Sequence, residues 1–290
     1  MACDNTITLD ADSAEVANSA AQAAIAEVQR IEAKYSRYRD DSVVSIINHQ
    51  AGSGVPAIID PETALLLDFA GNCFTQSDGL FDITSGVLRR IWDFRAAAPP
   101  SEAELATVLP RIGWHRVVRT AVTVMLPVAG MEIDFGGFGK EYAADRAAAV
   151  LLAHGITHGF VDLGGDVVVT GPQADGTPWS LGIRHPRQAN QLLATVDIAS
   201  GAVATSGDYE RYLEANGRRY SHILHPQTGM SVPDMQCVTV FAPSCLMAGG
   251  ISTIAMLKTE AAADAWLRGM AASGVRALSV AVKGIVTHYP

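Results

Sequence analysis

The sequence predicts an α+β fold built mostly on antiparallel sheets. Helical segments and short β-branched runs follow one another in an order that is neither a regular strand–helix alternation nor a run of strands alone. Hydrophobic residues make up 49% and charged residues 18% of the 290, which places the chain among globular proteins able to bury a large core. No fixed-period repeat and no convincing linker divides it, so residues 1–290 are expected to form one domain, with room for two fused halves.

The elements follow from local chemistry. Ile7 to Asp10 closes a first strand. From Ser13 to Tyr35 apolar residues recur at helical spacing, among them Val16, Ala20, Ala24, Val28 and Ile31, so this is an amphipathic helix with a covered face. Ser36 to Asn48 begins as a polar turn and ends as a short helix. Asp60-Pro61 is an N-cap followed by proline at the first helical position, opening a helix to about Gln76. Ser77 to Gly86 is a glycine-flanked loop, and Ser101 with Glu104 makes a capping box for another short helix. Val117 to Leu126 alternates like a strand, and Met131 to Phe135 reads as another. A helix runs from Gly139 to about Leu152 and stops at His154-Gly155. Phe160 to Thr170 reads as one strand bulged at its glycine pair. Trp179 to Arg184 and Leu192 to Ile198 are strands, and Ala204 to Tyr212 is a polar glycine turn. Arg219 to Gly229 is a strand entering a Pro/Gly turn, and Gln236 to Ala242 is a strand. Helices follow over Ser244 to Lys258 and Glu260 to Ser273, and Val275 to Val282 with Gly284 to Tyr289 closes the chain as a hairpin.

Composition excludes some functions. The net charge of −9 argues against nucleic acid or an anionic membrane as the main partner. Cys3, Cys73, Cys237 and Cys245 are scattered without a C-x-x-C, so neither a zinc site nor a disulfide framework is indicated. No apolar run approaches a membrane span. The first residues, MACDNTITLDADS, show no signal peptide, so the expectation is a cytoplasmic protein as the sequence stands, and a periplasmic one if the natural chain is longer.

The stretch that bears on function is MEIDFGGFGKEYAAD, Met131 to Asp145. A strand that turns through glycines into a helix start leaves backbone N–H groups pointing outward, an arrangement that attracts phosphate, and Lys140 adds a charge there. Alone, the same residues read equally as a tight connection without a ligand, with Lys140 a solvated lysine poorly placed against the helix dipole.

The set of motifs is more specific than any one of them. S-R-Y-x-x-D-S-x-x-S-x-x-N (Ser36 to Asn48), G-L-F-D-I-T-S-G (Gly79 to Gly86), I-D-F-G-G-F-G-K-x-Y-A-A-D (Ile133 to Asp145), D-L-G-G-D (Asp162 to Asp166), T-S-G-D-Y-E-R (Thr205 to Arg211), Y-S-H-I-L-H-P-Q-T-G (Tyr220 to Gly229) and S-T-x-x-M-L (Ser252 to Leu257) fall in one order. The chain thereby resembles the ApbE family of FAD:protein FMN transferases from about Val28 to its end. The resemblance implies a duplicated tunnelling-fold (T-fold-like) architecture with FAD in a cleft between its halves. It also implies a magnesium-dependent protein flavinylation. The FMN portion of FAD moves to a Thr or Ser hydroxyl of a target flavoprotein, and AMP leaves.

By that resemblance Asp134 and Lys140 contact FAD, and the carbonyl of Gly137 lies near the metal together with Ser252 and Thr253. Tyr38 and Asn48 match adenosine-side contacts, one stacking and the other reading a purine edge; on their own they read equally as a core tyrosine and a helix-terminal asparagine. Leu80, Phe81 and Asp82 match a loop on the ligand, Thr205, Ser206 and Gly207 cradle another part of it, and Ile223 belongs to the same lining. His222 matches the family's catalytic histidine, suited to take the proton of the target hydroxyl.

Three departures stand out. The family's metal-ligand Asp is Gly249 here, the Asp of its H-I-I-D-P motif is His225, and the early M-G-T segment is absent, as if the chain began just after it. The loss at Gly249 predicts a weakened metal site, and a rise in activity for Gly249→Asp if metal limits the enzyme. His225 stands either as a surface turn residue or as a nitrogen ligand favouring a transition ion. Two further readings are open: an FAD-binding homologue that presents flavin without transfer, and a pyrophosphatase yielding FMN and AMP.

Overall fold

The computed structural model describes residues 4–188 and 190–290. The strands are β1 (Asn5–Leu9), β2 (Ala57–Ile58), β3 (Val118–Arg119), β4 (Thr123–Met125), β5 (Gly159–Leu163), β6 (Asp166–Gly171), β7 (Trp179–Arg184), β8 (Leu192–Ile198), β9 (Gly201–Gly207), β10 (Tyr212–Ala215), β11 (Arg218–Ser221), β12 (Met235–Ala242), β13 (Arg276–Ala281) and β14 (Val286–Tyr289). The α-helices are α1 (Ala14–Tyr35), α2 (Val43–His49), α3 (Pro61–Gln76), α4 (Glu102–Val108), α5 (Gly139–Ala153), α6 (Cys245–Leu257) and α7 (Glu260–Ala271). This is the α+β class expected.

Seven strands form one sheet in the order β1-β5-β6-β9-β12-β13-β14, antiparallel at every junction. The period-2 alternation of strands decides which residues go where. Val168, Val238 and Val240 face a helical layer that includes α1, α5 and α6, while Val167, Val169, Phe241 and Cys237 face the β7–β8 hairpin side. Helix starts sit where the sequence puts caps. Ser13 accepts from the Val16 amide at 3.3 Å, Asp60 from Thr63 at 2.8 Å, and Ser101 with Glu104 closes the capping box. Cys73, Cys237 and Cys245 are free and buried, and Cys3 lies outside the described residues.

Several expectations are corrected. Phe160 to Thr170 is a hairpin, not one bulged strand. Gly164 and Gly165 have φ of 65° and 91°, the two positive values a tight turn between β5 and β6 requires. Val117 to Leu126 is likewise two short strands, folded back where Thr120 N–H donates to Thr123 O at 3.0 Å. Met131 to Phe135 is not a strand; the Asn48 side-chain amide bonds both backbone groups of Ile133. Residues 204–207, expected in a turn, are the end of β9 in the middle of the sheet. Ile83–Arg90, expected as loop, is 3-10 helix capped by Asp82.

Candidate functional site

Two groups of predicted residues come together around the start of α5. The first is an open face. Asp134 forms an ion pair with Arg37, and its Oδ1 accepts from the Gly136 amide at 3.0 Å. Arg37 also donates to the Tyr38 hydroxyl at 3.0 Å and lies 5.1 Å from that ring's centre. Tyr38 is 76% exposed, an uncovered aromatic plate held by a cation. The hydrogen bond from Arg37 and the nearby Arg211 guanidinium lower its phenol pKa.

Arg211 connects this face to His222. The His222 amide donates to Arg211 O at 3.0 Å, and its Nδ1 lies 3.2 Å from the same oxygen. A carbonyl only accepts, so Nδ1 carries the hydrogen and Nε2 keeps its lone pair. The ring reaches solvent, yet crowding by the protein, with Arg211 second, depresses its pKa below the ordinary histidine value.

The second group lies where the sheet meets α5 and α6. Lys140 forms an ion pair with the buried Asp166, whose Oδ1 accepts from the Thr205 amide at 3.1 Å. Ser206 Oγ is 2.9 Å from Ser252 Oγ and 3.0 Å from Thr253 Oγ1, and Ser252 in turn donates to Gly249 O at 3.1 Å. The two helices run antiparallel along this contact. Asp145 on α5 accepts from the first amides of α6, Cys245 at 2.7 Å and Leu246 at 2.9 Å. One turn along, Glu141 lies against Gly249, where a β-carbon would stand 2.6 Å from Glu141 Cγ and 3.0 Å from its Oε1. Glu141 is 8% exposed, and its Oε2 has no hydrogen-bond partner among the described residues. Burial pushes this carboxyl above the ordinary glutamate value, with Lys140 pulling it partway back.

The turn itself is partly satisfied from within. The amides of Phe138 and Gly139 donate to Phe135 O, and no side chain caps the start of α5. Gly137 is exposed and borders Phe81, whose ring is 3.5 Å from where a Gly137 β-carbon would sit. Magnesium needs hard oxygens and commonly takes one or two carboxylates, with phosphate and water completing its shell. The hydroxyls of Ser206, Ser252 and Thr253 with an unpartnered buried carboxylate oxygen fit that chemistry. Among the described residues no group of three or more His, Cys, Asp or Glu could hold a metal, so the donor set does not resemble a zinc-type cage.

Other predicted residues sit elsewhere in the framework. Asn48 Oδ1 accepts from the Ile133 amide at 2.7 Å and its Nδ2 donates to Ile133 O at 3.0 Å, so both polar ends hold the segment that carries Asp134. Asp82 is buried and accepts from Thr84 and from the Trp114 amide at 2.9 Å, the work of a cap. Phe81 and Ile223 are buried in the main core. Gly207 meets Tyr209, whose ring stands 2.4 Å from where a β-carbon would be. Leu80 lines a cavity of about 450 Å³ with His225, Asp234 and Lys258. His225 Nδ1 accepts from the Gln227 amide at 3.2 Å within its own turn. A side chain at position 249 would enter the space Glu141 fills, so Gly249→Asp requires Glu141 to move. Arg37, Arg211 and Glu141 were passed over by sequence reasoning although all three lie inside the quoted motifs; only their partners in space mark them.

These features have counterparts in known proteins. The sequence model of the ApbE family matches residues 1–278. The FAD:protein FMN transferase of Treponema pallidum is 34% identical over 245 residues, covering 78% of this chain and 67% of its own. That of Vibrio cholerae is 29% identical over 262 residues, covering 87% and 75%. The crystal structure of the ApbE protein of Thermotoga maritima superposes with a TM-score of 0.89 at 31% identity, over 98% of this chain and 93% of that one. The flavin transferase ApbE of Vibrio cholerae gives 0.85 at 26% identity, over 100% and 94%. A match across nearly the whole chain, in sequence and in fold, has one consequence: the chain belongs to the ApbE family.

Proposed function

We propose that this protein is an FAD:protein FMN transferase, with FAD as substrate and a flavoprotein bearing a Thr or Ser hydroxyl as acceptor, working as a single unit of two fused halves. The observation that carries the reading is His222, whose Nδ1 lies 3.2 Å from Arg211 O, which leaves Nε2 to accept a proton, and whose pKa is depressed by burial and by Arg211. The relatives' printed activity supports it.

The chemistry asked of the chain is phosphoryl transfer to a hydroxyl. His222 Nε2 takes the hydroxyl proton as the oxygen bonds to the FMN phosphorus, and the bond from that phosphorus to the AMP oxygen breaks. Arg211 and Arg37 place positive charge beside the open face, where a pyrophosphate brings negative charge. Tyr38 offers its exposed ring to the adenine, and Asn48 acts by holding Asp134 in place. Lys140, Thr205 and Ser206 bound the phosphate side, with Phe81 flanking the turn. Gly137 O and the Ser252 and Thr253 hydroxyls would hold a magnesium ion, which would neutralise charge on the phosphates.

The test is incubation with FAD, Mg²⁺ and a flavoprotein carrying the acceptor Thr, followed by in-gel flavin fluorescence. Covalent FMN on the target, lost in His222→Ala, is the expected result. FAD bound without labelling would leave a flavin-presenting protein, and free FMN with AMP but no label would leave a pyrophosphatase; either overturns the proposal.

A further inference from the structure

The carboxylate that α6 lacks is supplied from the neighbouring helix. We infer that Glu141 of α5 is the carboxylate ligand of the divalent cation, in place of an acid at position 249; this rests on the transferase reading for the presence of a metal beside the FAD phosphates.

Three observations carry it. Glu141 occupies the volume a side chain at 249 would need, since a β-carbon there would lie 2.6 Å from its Cγ. A carboxylate at 8% exposure with an oxygen that has no partner is costly to keep, and a bound cation is the group that would satisfy it. The carbonyl of the same Gly249 that Glu141 packs against accepts from Ser252 Oγ, which bonds to Ser206, which bonds to Thr253, and such hydroxyl and carboxylate oxygens are the donors a hard cation takes. The antiparallel contact, fixed one turn away by Asp145 on the amides of Cys245 and Leu246, sets Glu141 against Gly249, whose carbonyl Ser252 bonds. The two positions are therefore complementary. A glycine at 249 is what makes room for the glutamate, and an acid at 249 is compatible only with a small residue at 141.

The test measures metal binding without catalysis. Mn²⁺ is titrated into the whole protein saturated with ADP, and free Mn²⁺ is read by electron paramagnetic resonance. Glu141→Gln, close in shape, should weaken Mn²⁺ binding by about tenfold or more while ADP affinity without metal is retained. The exchange Glu141→Gly with Gly249→Asp should recover most of that loss, whereas Gly249→Asp alone should not tighten Mn²⁺ binding. Undiminished Mn²⁺ binding by Glu141→Gln overturns the inference, as does a parent that binds no Mn²⁺ or a tighter Gly249→Asp single variant. If FMN transfer fails but the Mn²⁺ pattern holds, the ligand assignment stands and the transferase reading falls. If transfer succeeds and Glu141→Gln still binds Mn²⁺, the reverse is true.

Discussion

Removing the Asn48 side chain separates a residue that reads a ligand from one that builds the site. In the folded chain its amide exchanges two hydrogen bonds with the backbone of Ile133, at 2.7 and 3.0 Å, and Ile133 is 1% exposed. Asn48→Ala leaves that N–H and C=O buried without partners. Each such group costs about 1–3 kcal/mol, so the expected loss for the two is roughly 2–6 kcal/mol. For a chain of this size that corresponds to a fall in Tm of roughly 3–10 °C. Urea unfolding followed by circular dichroism gives the stability, and quenching of flavin fluorescence gives FAD affinity on the same samples. FAD binding should weaken along with stability, because the freed segment carries Asp134 and so the partner of Arg37. A variant within about 0.5 kcal/mol of the parent that nevertheless loses FAD affinity would refute the reasoning and return Asn48 to direct contact with the purine.

Two further outcomes follow from neighbouring residues. His222 has a folded pKa below the ordinary value, so the acid limb of kcat/KM should lie below about pH 6.5. Arg211→Gln removes the second cause of that depression, so the limb should move to higher pH; a limb that stays put or moves down would show that Arg211 does not act on the imidazole. At Gly86 an added β-carbon would stand 2.5 Å from Asp134 Cβ, with no flexible atom to yield. Gly86→Ala should therefore cost about 1–3 kcal/mol and weaken FAD binding, and a variant unchanged in both thermal unfolding and FAD titration contradicts that contact.

What was legible in the sequence was what local chemistry fixes. The helix starts at Ser13, Asp60 and Ser101 are written in the cap residues themselves, and each helix they open was found within a residue or two. Hairpins were lost where the turn is short and the flanking runs are similar. FVDLGGDVVVT has one β-branched texture throughout, and only the positive φ of both glycines shows that the chain reverses there. β9 was lost because ATSG is polar in sequence, although each Thr or Ser hydroxyl finds a partner in the fold: Thr205 with Thr239, and Ser206 with Ser252 and Thr253. At the site the same division holds. His222 and Lys140 could be singled out because motif and chemistry coincide. Glu141 could not, because its meaning depends on a glycine 108 positions later, and no local pattern connects the two.

The α5–α6 contact also orders events in time. Asp134, Lys140 and Asp166 are synthesised well before Cys245, yet the Ser206 hydroxyl and the Glu141 carboxylate meet their neighbours only when α6 arrives. Until then the carboxylates of Glu141 and Asp145 face no helix, and β9 lacks β12, its partner on one side. Pairings this distant in sequence form late and slowly. A nascent or truncated chain ending before Cys245 would thus carry the glycine turn and α5 without the helix that packs on Glu141 and Asp145.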